Sequence, residues 1–140
     1  MKFDEDLYEP MIEIDSRKQT EVTDITSSVE RELASSNVQS GICLIYTLHT
    51  TTGITINEAE GDLMQDIVRL LDTIVPAGAG YRHDRSDGNA HAHLRAVLIG
   101  NSAVIPIERG TLVLGTWQRI LFIEQDGPRH RRVYVKAISD

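Results

Sequence analysis

From Ser102 onward every apolar segment is of strand length and bounded by turn residues, which commits the last third of the chain to antiparallel sheet. The segments run from 103 to 107, 111 to 114, 119 to 124 and 132 to 138, with turns at Arg109-Gly110 and Asp126-Gly127-Pro128. Read in order they form a meander. A sheet of this kind buries one face, so the earlier part of the chain must help to cover it.

The earlier part supplies strands and helices in alternation. The first nine residues are acidic and expected to be mobile, and Met11 to Ile14 alternates in the manner of a strand, which is placed over residues 7–15 and so overlaps the end of that start. Ser27 with Glu30 fits a capping box, and Ile25, Val29 and Leu33 recur at helical spacing, so a helix is expected over 27–35, ended by Asn37 and Gly41. Residues 42–48 and 54–57 read as two strands flanking His49. Leu63, Met64, Ile67, Leu70, Leu71 and Ile74 line one face of a helix that Pro76 and a Gly-rich stretch terminate. A polar loop reaches about residue 89, and a short helix over 90–99 puts His93 and Val97 on one face with His91 turned elsewhere. The fold class is α+β, with two to three helices covering one side of an antiparallel sheet or of a two-sheet β-sandwich.

A chain of 140 residues suits one domain over 1–140. No run approaches the roughly 20 apolar residues of a bilayer helix, and the acidic N-terminus lacks the basic-then-apolar order of a secretion signal, so a cytoplasmic protein with no membrane partner is expected. The net charge of −7 opposes binding to a phosphate backbone, so no nucleic-acid partner is expected. The lone cysteine, Cys43, lies in an apolar run and reads as a core thiol. There is no P-loop, dinucleotide glycine fingerprint, Gly-x-Ser-x-Gly elbow or His-Glu-x-x-His pair.

Chemistry must therefore come from residues far apart in sequence. His49, His83 and His93 could bind a metal through imidazole nitrogen, or they could be surface and hydrogen-bonded histidines; Asp84 or Asp87 could orient such a ring. His91 and His130 read as exposed or supporting at best. Trp117 after Gly115 and Thr116 offers a flat wall for a heterocycle or, equally, a core anchor, while a buried Gln118 amide would need partners. Thr50, Thr51 and Thr52 before Gly53 could meet an anion or simply suit a strand. Asn57 and Glu58 could add polar contacts, or Glu58 and Glu60 could serve the next helix N-terminus. Glu124 is a candidate general base if it faces inward. The basic run from Pro128 to Arg132 is either a solvated strand end or a phosphate site.

Four segments, Leu48-His49-Thr50-Thr51-Thr52-Gly53, Tyr81-Arg82-His83-Asp84, Asn89-Ala90-His91-Ala92-His93 and Gly115-Thr116-Trp117-Gln118, resemble the YjbQ-like family, also called the secondary thiamine-phosphate synthase enzyme family. The likeness runs from about Gly41 to the end. It implies a jelly-roll-like core, a homotrimer, and a divalent metal, zinc or magnesium, at His49, His83 and His93. The implied activity joins hydroxymethylpyrimidine diphosphate to thiazole phosphate with release of pyrophosphate, whose charge Arg82 or Arg129 would help to neutralise. On this reading His49, Gln118 and Glu124 are catalytic, Thr50, Asn57, Thr116, Trp117 and Arg129 bind a small phosphorylated or heterocyclic molecule. The alternatives are a trimeric protein that binds a metal or small anion without turnover, and a metal-dependent hydrolase of a phosphorylated metabolite.

Overall fold

The computed structural model describes residues 10–140; the acidic start and residues 7–9 of the expected first strand lie outside them. The elements are β1 (Met11–Asp15), β2 (Glu21–Asp24), α1 (Thr26–Ser36), β3 (Gly41–Thr47), β4 (Thr52–Asn57), α2 (Gly61–Ile74), a 3-10 turn (Arg82–Arg85), α3 (Ala90–Ile99), β5 (Ser102–Glu108), β6 (Thr111–Leu112), β7 (Arg119–Glu124) and β8 (His130–Ser139). The molecule is α+β. A five-stranded sheet has the order β1-β8-β3-β5-β6 and a three-stranded sheet the order β2-β7-β4, all pairs being antiparallel.

The expected C-terminal meander is not formed. β5 and β6 make a hairpin, but β7 crosses to the small sheet and β8 returns to lie between β1 and β3. Burial accounts for this crossing. Ile120 and Phe122 alternate with Leu121 and Ile123, and all four are almost fully buried, so β7 needs cover on both faces and occupies the centre of its sheet. The inward positions of both sheets meet in one core. Ile12, Cys43, Ile45, Ile105, Ile107, Val133 and Val135 come from the large sheet, Ile54, Ile120 and Phe122 from the small one, and Val29 and Leu33 from α1. Burial drives the Cys43 thiol up to about 11, as expected of a core thiol.

α1 begins by a different device from the capping box expected at Ser27. The Asp24 carboxylate accepts the Thr26 amide at 3.0 Å and its hydroxyl at 2.6 Å, while the Thr26 hydroxyl accepts the Ile120 amide at 2.8 Å. Burial would raise the Asp24 carboxyl, but these bonds and Arg119 at 2.8 Å outweigh it and hold the group below its ordinary value. Asn37, in the left-handed region at φ 57°, ends the helix. Glu60 starts α2 by accepting the Asp62 and Leu63 amides. The apolar stripe of α2 is only partly covered: Leu71 is buried, but Leu70 and Ile74 are more than half exposed.

Gly53 brings α3 onto β4. A methyl group built at Gly53 would fall on the Ile99 side chain and within 3.0 Å of the Gly100 carbonyl oxygen, and the Ile54 amide donates to that same oxygen at 3.0 Å. This close approach sets the wall of the cleft described next.

Candidate functional site

Where β3 leaves the large sheet and β4 enters the small one, residues 48–51 cross beside α3. The crossing forms a cleft of about 510 Å³ with His49 and Thr50 on one side and His93 and Val97 on the other; Tyr46 and Asn101 also line it. The α3 periodicity read from sequence is thus realised for His93 and Val97. His83, on the 3-10 turn, lies against His93 edge-on, with ring centroids 4.8 Å apart and planes at 82°, and its Nε2 is 3.7 Å from the Asp87 carboxylate. Three distant histidines are therefore drawn to one side of the molecule. His49 shares a cleft with His93, and His93 touches His83.

Hydrogen bonding decides what His49 can do. The Arg132 backbone amide donates to its Nε2 at 2.9 Å, so that nitrogen carries a lone pair and the neutral ring holds its proton on Nδ1. A metal at Nε2 would have to displace the Arg132 amide. Among the described residues, no three histidine, cysteine or acidic side chains are grouped closely enough to hold a metal ion. As arranged, the residues do not fit a three-histidine centre for zinc or magnesium. Asp84 has a different task from orienting an imidazole: its Oδ1 accepts the Ala90 amide at 2.9 Å, at the start of α3.

Several other expected site residues lie elsewhere. Trp117 is 71% exposed on a tight turn, which rules out the core anchor, and it does not line the histidine cleft. Gln118 is exposed as well; its Oε1 accepts the Gly115 amide at 2.7 Å and its backbone N–H donates to the Gly115 carbonyl at 3.1 Å, so side chain and backbone together close the turn that carries Thr116 and Trp117. The buried, partner-seeking amide expected at Gln118 is not found. Asn57 accepts the Glu58 amide at 2.8 Å, and Arg129 bonds the Asp126 carbonyl at 2.8 Å. Neither Arg82 nor Arg129 lines the cleft.

Glu124 does face inward, but it is committed to an ion pair. Its Oε1 accepts the Ser16 hydroxyl at 2.7 Å and Arg131 Nε at 2.8 Å, and its Oε2 accepts Arg131 Nη2 at 2.6 Å and the Asp126 amide at 3.0 Å. Burial alone would raise this carboxyl; the bonds from Arg131, Ser16 and Asp126 outweigh that effect and lower it. A carboxylate so held is a poor general base. Arg131 is 5% exposed and Arg132 half-buried, so the solvated-strand-end reading of the basic run fails for its last two residues. His91 is buried rather than exposed. Sequence reasoning passed over Arg95, buried on α3, which donates to the Val75 carbonyl and the Gln125 side chain at 2.9 Å and lies 3.0 Å from Asp72. Its helical offset from His91 and Ala92 was the available signal.

The sequence profile of the UPF0047 protein YjbQ-like family matches residues 10–140. The chain belongs to the UPF0047 YjbQ-like family. A UPF0047 protein of Archaeoglobus fulgidus is 56% identical to it over 121 residues, 86% of this chain and 94% of that one. The UPF0047 protein YugU of Bacillus subtilis is 42% identical, covering 91% of this chain and 97% of its own. Among solved structures, a hypothetical protein from Aeropyrum pernix K1 superposes with a TM-score of 0.91 at 40% identity, covering 94% and 98% of the two chains. A YbjQ-like protein of unknown function from Sulfolobus solfataricus P2 gives 0.91 at 39%, covering 94% and 96%. The family match spans both sheets and all three α-helices, and so includes every element that builds the cleft.

Proposed function

We propose that this UPF0047 chain is a small-molecule enzyme whose cleft between His49 and His93 takes a phosphorylated or heterocyclic substrate. One observation carries the reading: two imidazoles from unrelated elements, the crossing before β4 and helix α3, open into one cleft with the exposed Thr50 and Asn101 beside them. The lining includes no lysine or arginine, so anion recognition falls to imidazole, hydroxyl and amide groups. The reaction proposed is that of a secondary thiamine-phosphate synthase, in which hydroxymethylpyrimidine diphosphate loses pyrophosphate and the nitrogen of thiazole phosphate captures the carbon. His93 donates to the leaving pyrophosphate, and Thr50 hydrogen-bonds an adjacent phosphate oxygen.

A cytoplasmic homotrimer with jelly-roll-like closure of the two sheets belongs to the same proposal. Ile42, Val104 and Ile138, all on the face of the large sheet turned away from the core, are each more than 40% exposed and give a trimer an apolar surface to bury. In that assembly the exposed Trp117 of one subunit becomes available to a neighbour.

Pyrophosphate release from hydroxymethylpyrimidine diphosphate and thiazole phosphate tests the activity. The proposal expects turnover that His93→Ala lowers by about 100-fold, within the range for losing a general acid. Saturable binding without pyrophosphate release would make the protein a binder. Metal content measured on the wild type and on His49→Ala, His83→Ala and His93→Ala tests the metal reading separately: loss from all three variants would require His49 to exchange the Arg132 amide for the ion.

A further inference from the structure

The segment that carries His49 and Thr50 into the cleft is held from behind by groups outside it. The Arg131 guanidinium, 5% exposed and absent from the cleft wall, donates through Nη2 to the Thr51 hydroxyl at 2.8 Å and through Nε and Nη2 to Glu124. The next residue's amide donates to His49 Nε2. Gln125, next to Glu124, donates its backbone N–H to the Thr51 carbonyl at 3.1 Å. The Thr47 and Thr52 hydroxyls join the two ends of the segment at 2.7 Å.

Alternation shows where this support comes from. Arg131 shares a face of β8 with Val133 and Val135, and Glu124 shares a face of β7 with Ile120 and Phe122, so the ion pair spans the interior from one sheet to the other. The guanidinium is a planar fork. Its bidentate grip on Glu124 fixes the direction of the third bond, to Thr51. The strand carrying this fork also supplies the amide that sets the His49 ring.

We propose that Arg131 is a positioning residue for the cleft: acting through the Thr51 hydroxyl, it sets where His49 and Thr50 stand, so closure of the two sheets and geometry of the binding groups are one event. The binding arm of the test rests on the functional reading above; the spectroscopic arm does not. Thr51→Val keeps the branched shape and leaves the Glu124–Arg131 pair intact while deleting the hydroxyl that Arg131 holds.

The two readouts are the ¹⁵N resonances of the His49 ring, which report whether Nε2 still accepts a hydrogen bond, and the Kd of inorganic pyrophosphate. The expected result is a shifted His49 Nε2 resonance and a Kd raised roughly ten-fold by the misplaced loop. Thr51→Ser, which keeps the hydroxyl, restores both. A purely structural role for Thr51 would lower the thermal midpoint and leave the His49 resonance of the folded protein unmoved; an unmoved resonance overturns the proposal. If Thr51→Val yields no folded protein, Thr51→Ala against Thr51→Ser makes the same comparison. A wild type that fails to bind pyrophosphate retires the functional reading, and the His49 resonances still decide the positioning role.

Discussion

Arg131 and Glu124 meet across the interior between the two sheets, with Nε to Oε1 at 2.8 Å and Nη2 to Oε2 at 2.6 Å, and neither side chain is more than 6% exposed. A buried pair in this geometry adds little net stability over an apolar replacement, yet it is costly to break, because the surviving charge is left without its counter-charge.

Glu124→Gln or Arg131→Met is therefore expected to lower unfolding free energy by about 3–5 kcal/mol, measured by urea titration. The double variant Glu124→Gln with Arg131→Met should lose less than the sum of the two single changes. Strict additivity would show that the two groups do not act as a pair.

Stability should also depend on pH at both ends of the range. The Glu124 carboxyl lies below its ordinary 4.5 when folded, so its contribution is present above that value and is lost as pH falls through the lower folded value. His130 moves the other way. The Asp15 carboxylate, 2.6 Å from its Nδ1, raises the imidazole above 6.5, with Glu13 adding to the effect. The His130 contribution is thus present below 6.5 and lost as pH rises through the raised folded value. Urea midpoints measured across pH should show both losses; His130→Gln should remove the loss on the alkaline side and leave that on the acid side.

Gly53→Ala should place a methyl group against Ile99 and Gly100 and displace α3 from β4. A cost of about 1–3 kcal/mol is expected for such overpacking, together with weaker pyrophosphate binding because His93 and Val97 move with α3. Unchanged binding in the folded variant would show that the β4–α3 approach does not set the cleft.

Trp117→Ala should leave chain stability within about 0.5 kcal/mol, since the indole packs little against its own chain. Urea unfolding at several protein concentrations checks this. A larger loss that grows on dilution would assign the indole to a subunit contact instead.

Local patterns in the sequence were enough for α2, because it repeats an apolar spacing over three turns, and for the strands that turn residues bound; α3 was marked by its stop at Gly100, whereas β2, only four residues with no apolar alternation of its own, was missed. The pairing of the strands was not legible. Adjacent segments suggested a meander, but only the double-sided burial of Ile120 to Ile123 shows β7 at the centre of another sheet. Arg131 could have been placed by counting back from Val135 and Val133 on β8; four basic or imidazole residues in succession concealed that alternation. Trp117 and Gln118 defeated composition-based reasoning in the opposite sense. A tryptophan and an amide on an apolar stretch suggest burial, yet both lie on an exposed turn, where the Gln118 side-chain oxygen accepts the Gly115 amide. The meeting of His49 and His93 depends on a crossing between sheets and on one glycine contact, neither of which leaves a periodic trace.

The most direct measurement is titration of ring-labelled protein with inorganic pyrophosphate, following all five histidines by ¹⁵N NMR. Binding in the cleft predicts saturable shifts at His49 and His93 with a common Kd, a smaller response at His83 through its contact with His93, and none at His130. Shifts centred on His130, or no saturable shift at His49 and His93, would contradict the account.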